Sequence, residues 1–419
     1  ARYATWLELS AGESLREFEE IVGYHFEQAF QYQVSLGARG SRADAIATRA
    51  SERLESAGRR ALIRSDLPAA IGLLERVSGL LLPDDTRRVE LLADIGGALT
   101  ECGRLTEAAH ALDEAEAVAD GHDLRTTSHL LVQRYFLRLL NSEDGGLDEA
   151  AEAARRAVDV FERSDDALGL SRARRLEAWL YWNRARAQAA AEAWERAAEH
   201  ARRAGNRHEH NEILSWIASS LWFGPTPTDQ GIRRCEQLRD QVRESPAAEA
   251  AILRHLAGLY AMVGRFAAAR DLLATSNATY ADLGLSLNAA TSQNEAVVEL
   301  LAGNPAAAEE SLRVGYRTLE AMGERTYRST TAAFLARALL EQGRDQAADE
   351  FAEVSSELAA SGDLLTQILW RCARARVLAR RAQIGKAEEL AREAVSIAAQ
   401  TDFLSYRADA ILDLAEVLY

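Results

Sequence analysis

The amino-acid sequence predicts an all-α protein, a right-handed superhelical solenoid of about ten helix hairpins with a period near 40 residues. Three observations lead there. Hydrophobic residues make up 48% of the chain but aromatics only 7%, with six prolines in 419 residues, so helix-compatible residues dominate, alanine above all. A short phrase returns along the chain at nearly constant spacing. And the apolar pattern breaks every 15 to 20 residues, whereas a coiled coil needs apolar positions every 3.5 residues through unbroken heptads.

The phrase is a Gly-Arg or its equivalent, an apolar residue, and a small residue opening an alanine-rich helix: Gly103-Arg104-Leu105, Gly264-Arg265-Phe266, Gly303-Asn304-Pro305 and Gly343-Arg344-Asp345. Five residues after each glycine stands an alanine, at 108, 269, 308 and 348, and the register extends to Ala70, Ala150, Ala190, Gly231 and Ala387. The nine marks are separated by 38, 42, 40, 41, 38, 39, 40 and 39 residues, a tetratricopeptide-like (TPR-like) repeat lengthened from the standard 34. Two helices of about 16 residues, each about 24 Å long, fill one unit.

Small residues are needed where helices approach closely, because a bulky side chain there forces the pair apart. The first repeat supplies Gly58, Ala70, Leu74 and Val77, and the second Gly96, Ala108, Leu112 and Ala115. Helix starts carry matching punctuation, as in Pro83-Asp84-Asp85-Thr86, where Asp or Thr accepts free amide protons. The expected organisation is a helical junction or N-terminal helix pair over residues 1–41 and a repeat array over 42–419. The last repeat is expected to lack its second helix.

A formal charge of −15, from 64 acidic and 49 basic residues without a basic block, argues against a nucleic-acid partner. Cys102, Cys235 and Cys372 are far apart and form no CxxC pair, so they read as reduced, packed thiols. No signal peptide and no run of 18 apolar residues is found, which makes the cytoplasm the expected location.

Both ends look cut from something longer: the chain opens in helical character through Phe18, Ile21, Val22, Phe26 and Phe30, and closes at Tyr419 in the first helix of a repeat. Four segments carry a family likeness: Glu19 to Ala29, Phe223-Gly224-Pro225-Thr226-Pro227-Thr228, Gly315-Tyr316-Arg317 and Thr401-Asp402-Phe403-Leu404. They resemble the carboxy-terminal TPR region of actinobacterial multidomain signalling proteins. There, an adenylate/guanylate cyclase or LuxR-type output domain is joined to an AAA/STAND-type ATPase module. The resemblance implies that residues 1 to about 40 lead out of the ATPase module, and that the array senses a ligand or partner and biases the nucleotide switch.

Catalytic signatures are missing. Gly385-Lys386 is followed by Ala387 and belongs to no phosphate loop, GxGxxG is absent, and Gly145-Gly146 reads as a helix-connecting turn. His208-Glu209-His210 reads as a solvated helix start, because residues two apart on a helix face different ways and companion zinc ligands are not evident. His25, His110, His122, His129, His200 and His255 are scattered singly. Neither metal nor cofactor is expected, and the chain itself is expected to be no enzyme.

One concentration of residues stands apart. Trp179, Trp182, Trp194, Trp216 and Trp222 fall within 44 residues. Trp194 occupies a packing position of a second helix. Groove-facing offsets on the first helices select Arg172, Arg175, Trp179, Trp182, Asn183, Trp216 and Phe223 as the candidate ligand- or partner-binding residues, since aromatics with Arg make good anchors. The same rings could instead fill wide interhelical gaps. Two functions follow: a sensor binding a peptide, protein or small effector in its concave groove to regulate an attached ATPase and output domain, or an intramolecular clamp or oligomerisation scaffold without external ligand.

Overall fold

The recurring phrase folds into one tight turn, and its geometry explains its composition. The computed structural model describes residues 1–37, 40–83, 85–119, 123–140 and 146–419, which are helical with no strand among them. Asp84, His122 and Gly145 lie outside the described residues. Helices α1 (Arg2–Ala11) and α2 (Leu15–Ser35) come first, joined through a single 3-10 turn. Hairpins follow: α3 (Ser41–Ile63) with α4 (Leu67–Leu80), α5 (Arg87–Glu101) with α6 (Leu105–Val118), α7 (Leu124–Leu140) before α8 (Gly146–Arg163), and α9 (Ala167–Asn183) with α10 (Ala187–Arg203). Next are α11 (Arg207–Phe223) with α12 (Thr228–Gln241) and α13 (Pro246–Met262) with α14 (Phe266–Asp282). The broken helix α15 (Ser286–Ala290) and α16 (Gln293–Leu301) precedes α17 (Pro305–Met322). The chain continues through α18 (Thr326–Glu341) with α19 (Asp345–Leu358), α20 (Leu364–Arg380) with α21 (Ile384–Ala398), and ends on α22 (Leu404–Leu418).

In the turns the residue just before the second helix donates its N–H back to a carbonyl five residues earlier: Arg104 to Leu99 at 2.9 Å, Arg186 to Tyr181 at 3.0 Å, Arg344 to Leu339 at 3.0 Å. This closure satisfies orphan carbonyls of the first helix and needs a left-handed residue in between. Gly103, Gly264, Gly303 and Gly343 supply it with φ of 71 to 76°. Where the phrase lacks glycine the backbone turns the same way, at Ser65, Ala185 and Ala382. The alanine five residues on is then the fourth residue of the second helix and is fully enclosed, as at Ala70, Ala108, Ala190, Ala269, Ala308, Ala348 and Ala387. Close approach is visible at the glycines too: a Cβ added to Gly58 would lie 2.7 Å from Leu74, and one added to Gly96 2.8 Å from Leu112.

The chain divides into two compact units, Ala1–Arg134 and Tyr135–Tyr419. In the first, carboxylates of the N-terminal pair are gripped by arginines of the first hairpin. Arg53 reaches Glu8 at 2.6 Å and Glu19 at 3.4 Å, Arg49 and Arg60 complete the two sites, and Arg76 holds Glu27. Burial raises the affinity of Glu8 and Glu19 for protons, but the hydrogen bonds from Arg53 and Arg49 to Glu8, and from Ser56 and Arg60 to Glu19, outweigh it and keep both carboxyls below their ordinary range. Tyr3, Trp6, Leu9, Ile21, Tyr24 and Tyr32 remain exposed on α1 and α2.

In the second unit, repeats distant in sequence meet. Thr326 Oγ1 donates to the carbonyl of Leu139 at 2.8 Å, and Leu147 packs so closely on Gly362 that an added Cβ would lie 2.0 Å away. Asp402 hydrogen-bonds Ala185, Ala187 and Gln188. The broken helix between α15 and α16 is also accounted for. At the break the buried Arg254 donates to the carbonyls of Asn288 (2.8 Å) and Thr291 (3.2 Å), and to Asn277 Oδ1 at 3.0 Å. Gly315 lets α17 come up against that break, since a Cβ there would lie 2.4 Å from the carbonyl oxygen of Ala290.

Candidate functional site

Helices α9 and α11 are the first helices of neighbouring repeats. On α9 the spacing of Arg172, Arg175, Trp179, Trp182 and Asn183 keeps them on one stripe, because residues three, four and seven apart share a helix face. Trp179 and Trp216 pair with ring centroids 4.5 Å apart. Trp182 sits at the hub, 5.7 Å from Trp194, 6.0 Å from Trp216 and 5.3 Å from Phe223. Trp194 is fully enclosed and stacks on Trp216 at 5.7 Å. Trp179, Trp182, Trp216 and Phe223 are each partly buried, keeping some surface open. Trp222 points the other way, across Gly258, where a Cβ would lie 2.2 Å from its ring.

Of the remaining candidates, Arg175 lies over the Phe136 ring at 4.7 Å and pairs with Glu209 at 3.2 Å. Asn183 is spent locally, its Nδ2 donating to the carbonyl of Trp179 at 2.9 Å. Arg172 is partly buried on the same stripe. The structure corrects one reading: Glu209 is not at a solvated helix start but 4% exposed, with its N–H accepted by Asn206 Oδ1 at 3.0 Å and its carboxylate turned to Arg175. Burial lowers the pKa of the neighbouring His210. Among the described residues no three His, Cys, Asp or Glu side chains are grouped as metal ligands.

Two aromatic members came from far along the chain and were not selected by sequence. Phe403 lies 5.2 Å from Trp182 and 5.4 Å from Phe223, and Tyr406 stacks on Phe223 at 5.9 Å with the planes 15° apart. Beside them Asp402 accepts hydrogen bonds from the N–H groups of Ala187 (2.6 Å) and Gln188 (2.9 Å), and its own N–H donates to the carbonyl of Ala185 at 3.1 Å. The sequence signal is slight: residues 401–404 and 223–228 each carry the family likeness, with nothing to show that they meet.

Antiparallel hairpins, a shared left-handed turn and small residues at each close approach define a TPR-like helical repeat region, with an aromatic wall where α9 and α11 meet. No protein-family model matches the chain, and no curated protein matches it. Among solved structures it is similar to Cut9 in the APC/C hetero-tetramer Cut9-Hcn1, at 14% identity and a TM-score of 0.53, over 99% of this chain and 86% of that one. It is similar also to Rap protein complexed with Competence and Sporulation Factor (14% identity, TM-score 0.51, 80% of this chain and 98% of that one). A third likeness is the human IFIT1 dimer with m7Gppp-AAAA (14% identity, TM-score 0.50, 94% and 85%). These neighbours are TPR-repeat proteins, and at such identity the likeness concerns the fold. No helix of the described residues is long and apolar enough to cross a membrane.

Proposed function

We propose that this chain is a non-catalytic interaction module whose inner face at α9 and α11 receives a peptide or protein partner. The observation that carries the reading is the Trp179–Trp216 pair, a partly open aromatic surface one turn from the buried Arg175–Glu209 ion pair. Aromatic rings beside a fixed guanidinium offer a large contact area at low ordering cost, the usual make-up of a binding hot spot. Two structural neighbours support it by their assemblies, Rap protein with Competence and Sporulation Factor and Cut9 with Hcn1. In the fuller form of this reading, residues 1–41 are a junction and 42–419 the array, and a cytoplasmic array biases an attached AAA/STAND-type ATPase with a cyclase or LuxR-type output domain. The exposed Tyr3, Trp6, Ile21 and Tyr24 suit a surface covered by an adjoining domain.

A second reading, the intramolecular clamp, is favoured by the seating of Phe403 and Tyr406 on Trp182 and Phe223. Acrylamide quenching of tryptophan fluorescence separates the two. Peptide or small-molecule fractions of a cell extract are added to the whole chain and to its Trp179→Ala/Trp216→Ala variant. Protection by one fraction that the variant loses supports the binding face. Tryptophans unmoved by every fraction leave the clamp.

A further inference from the structure

The corner between α21 and α22 is bound in the way a peptide is bound. Its backbone is read in both directions: the Asp402 N–H goes to the carbonyl of Ala185, and the Asp402 carboxylate takes the first two N–H groups of α10. Those N–H groups are orphans of a helix start and carry the positive end of its dipole, so an anionic side chain is the fitting partner. The next residue, Phe403, is 1% exposed between Trp182 and Phe223, and Tyr406 covers the outer side of Phe223. The receiving surface is built from local features. Ala185 holds its left-handed turn, and Gly224 lets the end of α11 approach α10, since a Cβ there would lie 2.7 Å from that of Ala187.

Array packing does not demand this contact, because in a repeat protein each unit touches its neighbours. The corner reaches a surface more than 200 residues away and presents a short linear pattern, an Asp, a Phe directly after it and a Tyr three residues further on. Helix α22 is covered from one side only, with Leu404, Ile411, Leu412 and Leu418 exposed. From Asp409 onward it keeps its own footing on α18 and α20 through Arg337–Asp409 at 2.6 Å and Arg376–Asp413 at 3.6 Å, so the corner and the first turn of α22 can leave while the rest of the helix stays seated.

We propose that the surface formed by the ends of α9 and α11 and the start of α10 is a receptor for an acidic–aromatic segment of a partner protein. The chain's own residues 401–406 are its resident occupant, displaced when the partner binds. The proposal rests on the reading of α9 and α11 as a binding face and names the class of segment that face takes. A tethered competitor acts at an effective concentration in the millimolar range, so a partner segment meets a site that is mostly filled.

The probe is a fluorescein-labelled synthetic peptide of residues 399–408, titrated by anisotropy against the whole chain. Variants Asp402→Asn and Phe403→Ala empty the resident site and are expected to bind the peptide at least about tenfold more tightly than the unchanged chain. A peptide carrying both substitutions is expected to bind none of them. Because a variant can fail to fold, the unchanged chain is also titrated to millimolar with a peptide bearing p-nitrophenylalanine at the Phe403 position, which is expected to quench Trp182. Folded variants that bind no better than the unchanged chain, or no quenching at millimolar peptide, overturn the proposal. If that happens while another ligand still protects Trp179 and Trp216 from acrylamide, the binding face stands and only its acidic–aromatic specificity is lost.

Discussion

Alanine substituted for glycine has opposite consequences at two helical positions of this chain, and the difference measures how tightly the repeats are pressed together. Gly72 in α4 is exposed, and an added Cβ meets nothing within 4 Å. Gly72→Ala therefore collects the helix-propensity difference, a gain of about 1 kcal/mol. At Gly258 in α13 the same methyl would stand 2.2 Å from Trp222 Cε2 and 2.6 Å from Cδ2 and Cζ2. The ring must retreat by more than about 1 Å to reach ordinary contact, yet Trp222 is 6% exposed and backed by Phe223 at 4.3 Å. Overpacking of this kind costs about 1–3 kcal/mol. The propensity gain is common to both sites, so the two variants are expected to differ by about 1–3 kcal/mol, Gly258→Ala being the less stable. Urea unfolding followed by far-UV circular dichroism gives the comparison, and tryptophan fluorescence reports Trp222 directly. Equal stabilisation by both substitutions, within about 0.5 kcal/mol, would refute the seating of Trp222 on α13.

Ala382→Gly relieves a left-handed alanine at φ 59° and is expected to raise stability by about 1 kcal/mol in thermal or urea unfolding, while the same change at Gln383 is not. Trp194→Ala empties a fully enclosed indole site between Trp182 and Trp216, at a cost of about 3–5 kcal/mol measured by urea unfolding. Burial pushes the Glu324 carboxyl up to about 7, against three backbone N–H groups at the start of α18 that favour its charged form. A folded-state pKa above the unfolded one gives stability that is complete below about 4.5 and lost as pH rises through 7, about 3 kcal/mol in all. Unfolding free energies measured from pH 4 to 8 are expected to show that decline, and Glu324→Gln to lack it.

The fold was legible because its determinants are local. A left-handed turn wants glycine, and the close approach five residues later wants alanine, so Gly103 with Ala108 and Gly343 with Ala348 announce the same hairpin in any context. Even the departures at Ser65, Ala185 and Ala382 kept the register, because the small residue beyond them remained. The candidate site was legible in part for the same reason: helical spacing alone aligns Trp179 with Trp182 and Asn183. What lay beyond reach was everything set by curvature. Whether Phe403 arrives at Trp182 depends on small rotations summed over several repeats, and no residue between them records that sum. Asn183 shows a smaller limit. Spacing puts it on the right face, but its amide is satisfied by its own helix at Trp179, and Glu209 left the solvent because Arg175 on the previous repeat was there to receive it.

The hydrogen bonds between Asp402 and Ala185, Ala187 and Gln188, and the one from Thr326 to Leu139, change how unit 135–419 comes apart. A chain of repeats touching only its neighbours unzips from its ends, losing one hairpin after another. Here the corner before α22 is fastened to the fourth repeat, so release of that corner and exposure of the first N–H groups of α10 are the same event. Such contacts raise the mean sequence separation of the fold, which slows its formation and draws the repeats into a single cooperative transition. Hydrogen exchange at the amides of Ala187 and Gln188 therefore follows the state of residues more than 200 positions downstream.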